Sequence, residues 1–79
     1  VDHLHRVVGD WVVEVARAGN LVVLRTPPGT AHVVASALDR SGLPGVVGTV
    51  AVDDTIVVVV ADGTDCAEMA ARLSDMAGL

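Results

Sequence analysis

Two aspartates stand side by side at Asp53-Asp54, between two runs of small apolar residues. Adjacent carboxylates in a tight turn repel, so nothing in the neighbouring sequence favours both being charged. A cation placed between them removes that repulsion. Guanidinium fits well, because its planar fork meets carboxylate oxygens in pairs. A hard metal ion is a second reading, but no further carboxylate lies close in sequence to complete its shell. A plain solvated Asp-Asp turn is the third, and in an arbitrary protein it is the commonest of the three.

A second set lies upstream. His32, Ser36 and Asp39 are spaced i, i+4 and i+7, which places them along one stripe of a helix. There, His32 and Asp39 can hydrogen-bond the carboxylate and ammonium groups of a ligand. The plainer reading is the solvated stripe of an amphipathic helix.

Catalytic chemistry finds no foothold. The chain has no nucleophile elbow, no phosphate-cradling glycine loop and no metal-ligand spacing. The lone cysteine, Cys66, falls on an apolar helical stripe and reads as core. His3 and His5 read as part of a frayed terminus. Trp11, the only aromatic residue, reads as an anchor for the core or for an interface. No catalytic residue, metal or cofactor is assigned, and the chain reads as a non-enzyme.

The elements that must position these residues follow from periodicity. Arg6 to Ala18 reads as a strand, with Trp11, Val13 and Val15 alternating against Val12, Glu14 and Ala16. Gly19-Asn20 is a two-residue hairpin signal, and Leu21 to Thr26 is a second strand. That loop pairs Ala18 with Leu21, Glu14 with Arg25 and Val15 with Leu24. After Pro27-Pro28-Gly29, a helix runs from Thr30 to Ser41 with Ala31, Val34, Ala35 and Leu38 on one face, and Gly42 stops it. Val46 to Val52 and Thr55 to Ala61 are strands around the Asp53-Asp54 turn. After Asp62-Gly63, Thr64 is a candidate N-cap. The last helix runs to about Met76, burying Cys66, Met69, Ala70, Leu73 and Met76, with Glu68 and Arg72 paired outside.

The predicted order is β-β-α-β-β-α: an α+β two-layer sandwich, a four-stranded antiparallel sheet with two helices on one face. The other face has no cover from its own chain, so a second copy is predicted to cover it in a symmetric assembly. Composition agrees. The 79 residues form one domain, 52% of them hydrophobic, with no Phe or Tyr and no disulfide possible. So small a domain has too little interior for that many apolar groups. The net charge is −5, without a single lysine. That balance argues against nucleic-acid binding by this segment and suits a cationic ligand. No apolar run approaches transmembrane length and no signal-peptide layout is present, so a cytoplasmic location is expected. The start at Val1 rather than Met suggests an excised domain.

The segment Leu24-Arg25-Thr26-Pro27-Pro28-Gly29-Thr30-Ala31-His32 resembles the strand-to-helix corner of arginine repressor C-terminal domains. Gly48-Thr49-Val50-Ala51-Val52-Asp53-Asp54-Thr55-Ile56 resembles that family's most characteristic stretch, glycine-threonine-isoleucine-alanine-glycine-aspartate-aspartate-threonine-isoleucine. The resemblance runs from about Arg6 to Met76. It implies an effector domain of a transcriptional regulator of arginine metabolism, forming trimers that stack into hexamers. L-arginine would be the effector, bound at the trimer-trimer interface. Operator DNA would be engaged by an N-terminal winged helix-turn-helix domain outside this chain. Carried over by position, Asp53 and Asp54 meet the ligand, Asp39 and the carbonyl of Ala51 meet its amino group, and His32 lines the pocket where glutamine is common. Val52 stands where the family usually has glycine, which would allow positive φ or close approach. The rival readings are a diverged paralogue that trimerises with altered or lost arginine binding, and a small metabolic enzyme on the same fold.

Overall fold

A computed structural model describes residues 2–79. Its elements are α1 (Asp2–Trp11), β1 (Glu14–Ala18), β2 (Leu21–Arg25), α2 (Ala31–Ser41), β3 (Val46–Val52), β4 (Thr55–Val60) and α3 (Cys66–Met76). The strands form one sheet in the order β1-β2-β4-β3, antiparallel throughout. The β1-β2 register is the one the Gly19-Asn20 loop predicts, with Glu14 opposite Arg25 and Ala18 opposite Leu21.

The first element differs from expectation. Arg6 to Trp11 is helical, and the strand begins only at Glu14. Leu4, Val7, Val8 and Val12 are buried, at i, i+3, i+4 and i+8, which is helical spacing. The strand alternation belongs to Glu14–Ala18 alone and does not extend back to Trp11 and Val13. The N–H of Val12 still donates to the Val8 carbonyl at 3.0 Å, and that of Val13 already donates to the Arg25 carbonyl at 2.8 Å. His3 and His5 are therefore exposed positions on a helix, not a frayed end. Val12 rather than Trp11 anchors the core here, and Trp11 is 36% exposed. Among the described residues the order is thus α-β-β-α-β-β-α, with three helices instead of two.

Helix α1 packs against both α2 and α3. Gly9 permits the approach to α3, since a Cβ there would lie 3.2 Å from the Met76 carbonyl. Beneath the helices lie Val22 and Leu24 of β2 and Ile56, Val58 and Val60 of β4, all buried. Val15 and Ala51 extend this face outward on β1 and β3.

Helix boundaries follow local chemistry. Gly42 ends α2 with φ 68°, the left-handed geometry that glycine adopts without penalty. Helix α3 starts one residue later than expected: Asp65, not Thr64, is the N-cap, accepting from the Glu68 N–H at 3.1 Å. Of the stripe expected to be buried there, Met69, Leu73 and Met76 are buried, while Cys66 and Ala70 are half-buried at its margin.

The opposite face of the sheet carries Leu21, Val23, Val50, Val52, Val57 and Val59, alternating with the core residues. No element of the described chain covers it. Val50 and Val52 are 60% and 69% exposed.

Candidate functional site

Asp53 and Asp54 form the two-residue turn between β3 and β4, with Val52 opposite Thr55. Asp53 takes φ 53°, and it is the one non-glycine residue with positive φ among those described. Aspartate accepts this geometry more readily than most residues.

The turn is tied to the β2–α2 connection and the first residue of α2 by three hydrogen bonds. The Ala31 N–H donates to the Asp53 carbonyl at 3.0 Å, and the Thr26 N–H to the Asp54 carbonyl at 2.9 Å. The Gly29 N–H donates to Asp53 Oδ1, also at 3.0 Å. Thr30, the N-cap of α2, makes no side-chain cap bond; its hydroxyl donates to the Pro27 carbonyl at 2.6 Å instead. The acidic turn thus satisfies an open N–H at the start of α2, where negative charge is favoured.

Asp54 also has local partners. The Thr55 hydroxyl donates to its Oδ1 at 2.8 Å, and Arg25 Nη1 lies 3.5 Å from its Oδ2. Each carboxylate of the pair is met by a protein donor: a backbone N–H for Asp53, and a hydroxyl and a guanidinium for Asp54. Of these donors only Thr55 lies in the neighbouring sequence; the fold brings Gly29 and Arg25 from far along the chain. The Arg25–Asp54 contact depends on β2 pairing with β4, which sets Arg25 opposite Thr55. The hairpin register read from sequence placed Arg25 beside Glu14 only, so this neighbour was missed.

Asp39 stands near the other end of α2, exposed, and accepts from the Thr49 hydroxyl at 2.9 Å. Helix α2 and strand β3 therefore run antiparallel as two rails, joined at Asp53–Ala31 and again at Asp39–Thr49. His32 is exposed on the first turn of α2, beside the acidic end. Thr49 and Asp53 are four steps apart along an extended strand, roughly 13 Å. Thr49 itself was not singled out from the sequence.

Ala51 and Val52 point to opposite faces, as strand neighbours must. Ala51 packs half-buried against the helix-covered core. Val52 is extended, pairs with Thr55, and points its side chain onto the open face. Any part it plays beside α2 is confined to its backbone.

Among the described residues, no group of three or more His, Cys, Asp or Glu is placed to hold a metal ion. None of their helices is long and apolar enough to cross a membrane. A surface cleft lined by Pro44, Thr64, Asp65, Glu68, Met69 and Arg72 lies near the start of β3, away from the acidic turn at its end.

Residues 8–75 match the family model described as arginine repressor, C-terminal domain. An arginine repressor of Symbiobacterium thermophilum is 44% identical over 71 residues, covering 90% of this chain and 47% of that protein. An arginine repressor of Anaeromyxobacter sp. (strain Fw109-5) is 49% identical over 67 residues, covering 85% of this chain and 42% of that protein. The chain thus spans less than half the length of these relatives, which are named as repressors and not as enzymes. With the predicted sheet, turn and helix in place and the match running across nearly all of them, the chain belongs to the arginine repressor C-terminal domain family.

Proposed function

We propose that this chain is the arginine-sensing and oligomerisation domain of a cytoplasmic transcriptional regulator of arginine metabolism. Residues 1–79 would form one effector domain, and a winged helix-turn-helix domain elsewhere in the longer protein would bind operator DNA. The net charge of −5 supports leaving DNA contact to another segment.

The observation that carries this reading is the pair of rails formed by α2 and β3. They display the Asp53-Asp54 turn and His32 at one end, and Asp39 with Thr49 further along. Extended arginine measures about 7 Å from guanidinium carbon to amino nitrogen. The guanidinium nitrogens lie about 1.3 Å further out, and a hydrogen bond of about 2.9 Å at each end brings this to ~14 Å. The rise along the strand from Thr49, which holds Asp39, to Asp53 is of that order, roughly 13 Å. Asp53 and Asp54 would take the guanidinium and Asp39 the amino group, with His32 beside the guanidinium end and the Ala51 carbonyl bordering the stem between them.

The open sheet face supports assembly. Six aliphatic side chains on it, two exposed and four half-buried, have no cover from any described element, and a second copy would remove them from water. The family's trimer, stacked in pairs with arginine between, accommodates this surface. A ligand that binds only the stacked state favours that state by linkage.

Two measurements test the reading. Calorimetric titration should show arginine binding to the wild type and at least tenfold weaker binding to Asp54→Asn and Asp39→Asn. Sedimentation should show a rise in assembly when arginine is added. Equal heats for wild type and variants would overturn the site assignment. A sedimentation profile that ignores arginine would overturn the coupling.

A further inference from the structure

The acidic turn already faces one guanidinium, and that guanidinium belongs to the chain itself. Arg25 Nη1 lies 3.5 Å from Asp54 Oδ2, the one ion pair within 4 Å among the described residues. The other oxygen of the same carboxylate accepts from Thr55. Both oxygens are therefore engaged before any ligand arrives. Arg25 is not locked in place: its side chain is 50% exposed and that of Asp54 40%. On its other side, Arg25 is register partner of Glu14 on β1. One half-exposed cation thus stands between two carboxylates, Asp54 toward β4 and Glu14 toward β1.

We propose that Arg25 is an internal competitor for Asp54 that sets the affinity of the site for guanidinium ligands, with Glu14 as the partner to which it withdraws. This rests on the arginine-sensing reading above. An incoming guanidinium meets a carboxylate whose Oδ2 is taken, and it meets a like charge beside it. Binding requires the Arg25 head to swing away, and Glu14 supplies an opposite charge at the adjacent strand position. The swing is cheap because a half-exposed pair at 3.5 Å is screened and weakly held. The competition therefore tunes affinity by a modest factor.

Arginine titrations of the full chain and three variants test this. Arg25→Gln should bind arginine about two- to fivefold more tightly than wild type, the factor that a half-exposed pair supports. Glu14→Gln, which removes the withdrawal partner, should bind about twofold more weakly. Weaker arginine binding by Arg25→Gln would make Arg25 a positioning group for Asp54 and overturn the proposal. Unchanged binding by Glu14→Gln would remove its second half. Asp54→Asn separates the two levels. If wild type binds and Asp54→Asn does not, the site stands and only the role of Arg25 is being judged. If wild type does not bind arginine at all, both the site and the competitor fail together.

Discussion

The carbonyl of Asp53 accepts the N–H of Ala31 at 3.0 Å, so the turn of one hairpin caps the helix that precedes it in the chain. Residues 22 positions apart in sequence are joined there by the backbone of an acidic residue. The same residue also accepts the Gly29 N–H through its carboxylate and holds φ at 53°. Asp53 thus has a structural role independent of any ligand, and it can be separated from the proposed binding role.

Asp53→Asn keeps the acceptor oxygen and the tolerance of positive φ. It should unfold within about 0.5 kcal/mol of wild type while losing most arginine affinity. Asp53→Ala loses the acceptor and keeps the strain, and should cost about 1–3 kcal/mol. Urea unfolding beside calorimetry distinguishes them. An asparagine variant as unstable as the alanine variant would show that charge, not geometry, holds the turn.

Val52 differs from the glycine usual in the family, yet its conformation requires no glycine. It is extended, 69% exposed, and directed away from Asp39 and Ala51. Val52→Gly should leave arginine affinity within about twofold, while weakening the strand by about 0.5–1 kcal/mol. Titration and thermal unfolding of the same variant check both. A tenfold gain in affinity would instead support a paralogue whose binding Val52 has blocked.

The open face predicts a clean separation of folding from assembly. Val50 is 60% exposed on an edge strand, so Val50→Asp should fold with native circular dichroism. It should sediment as a monomer where wild type assembles, because a buried unpaired carboxylate in that interface is strongly unfavourable. Unaltered assembly of Val50→Asp would place the interface elsewhere.

Two glycines with positive φ should differ in their demand for hydrogen. Gly42 has open space at its missing Cβ, so Gly42→Ala should cost about 1 kcal/mol of backbone strain. Gly45 has φ +90°, and a Cβ there would lie 2.7 Å from Thr64 Cγ2. Gly45→Ala should cost about 2–4 kcal/mol, combining strain with overpacking. Denaturant midpoints that rank the two variants equally would mean that Thr64 yields without penalty.

By itself the sequence determined what short-range chemistry governs. Alternation and a two-residue loop set the β1-β2 register down to Glu14 and Arg25. Gly42 marked the end of α2, and Val46–Val52 and the Asp53-Asp54 turn stood out between apolar runs. The stripe of His32, Ser36 and Asp39 followed from helical period alone. Tertiary structure decided the rest. Whether Arg6 to Trp11 was strand or helix depended on α2 and α3 being there to bury Leu4, Val7 and Val8. The sequence could place Asp53 and Asp54 on a turn but not name their partners. Gly29, Ala31 and Arg25 reach them only because β2 pairs with β4 across an intervening helix and strand. Periodicity is a property of neighbours, whereas the contacts of a carboxylate depend on which distant segments the whole core brings beside it.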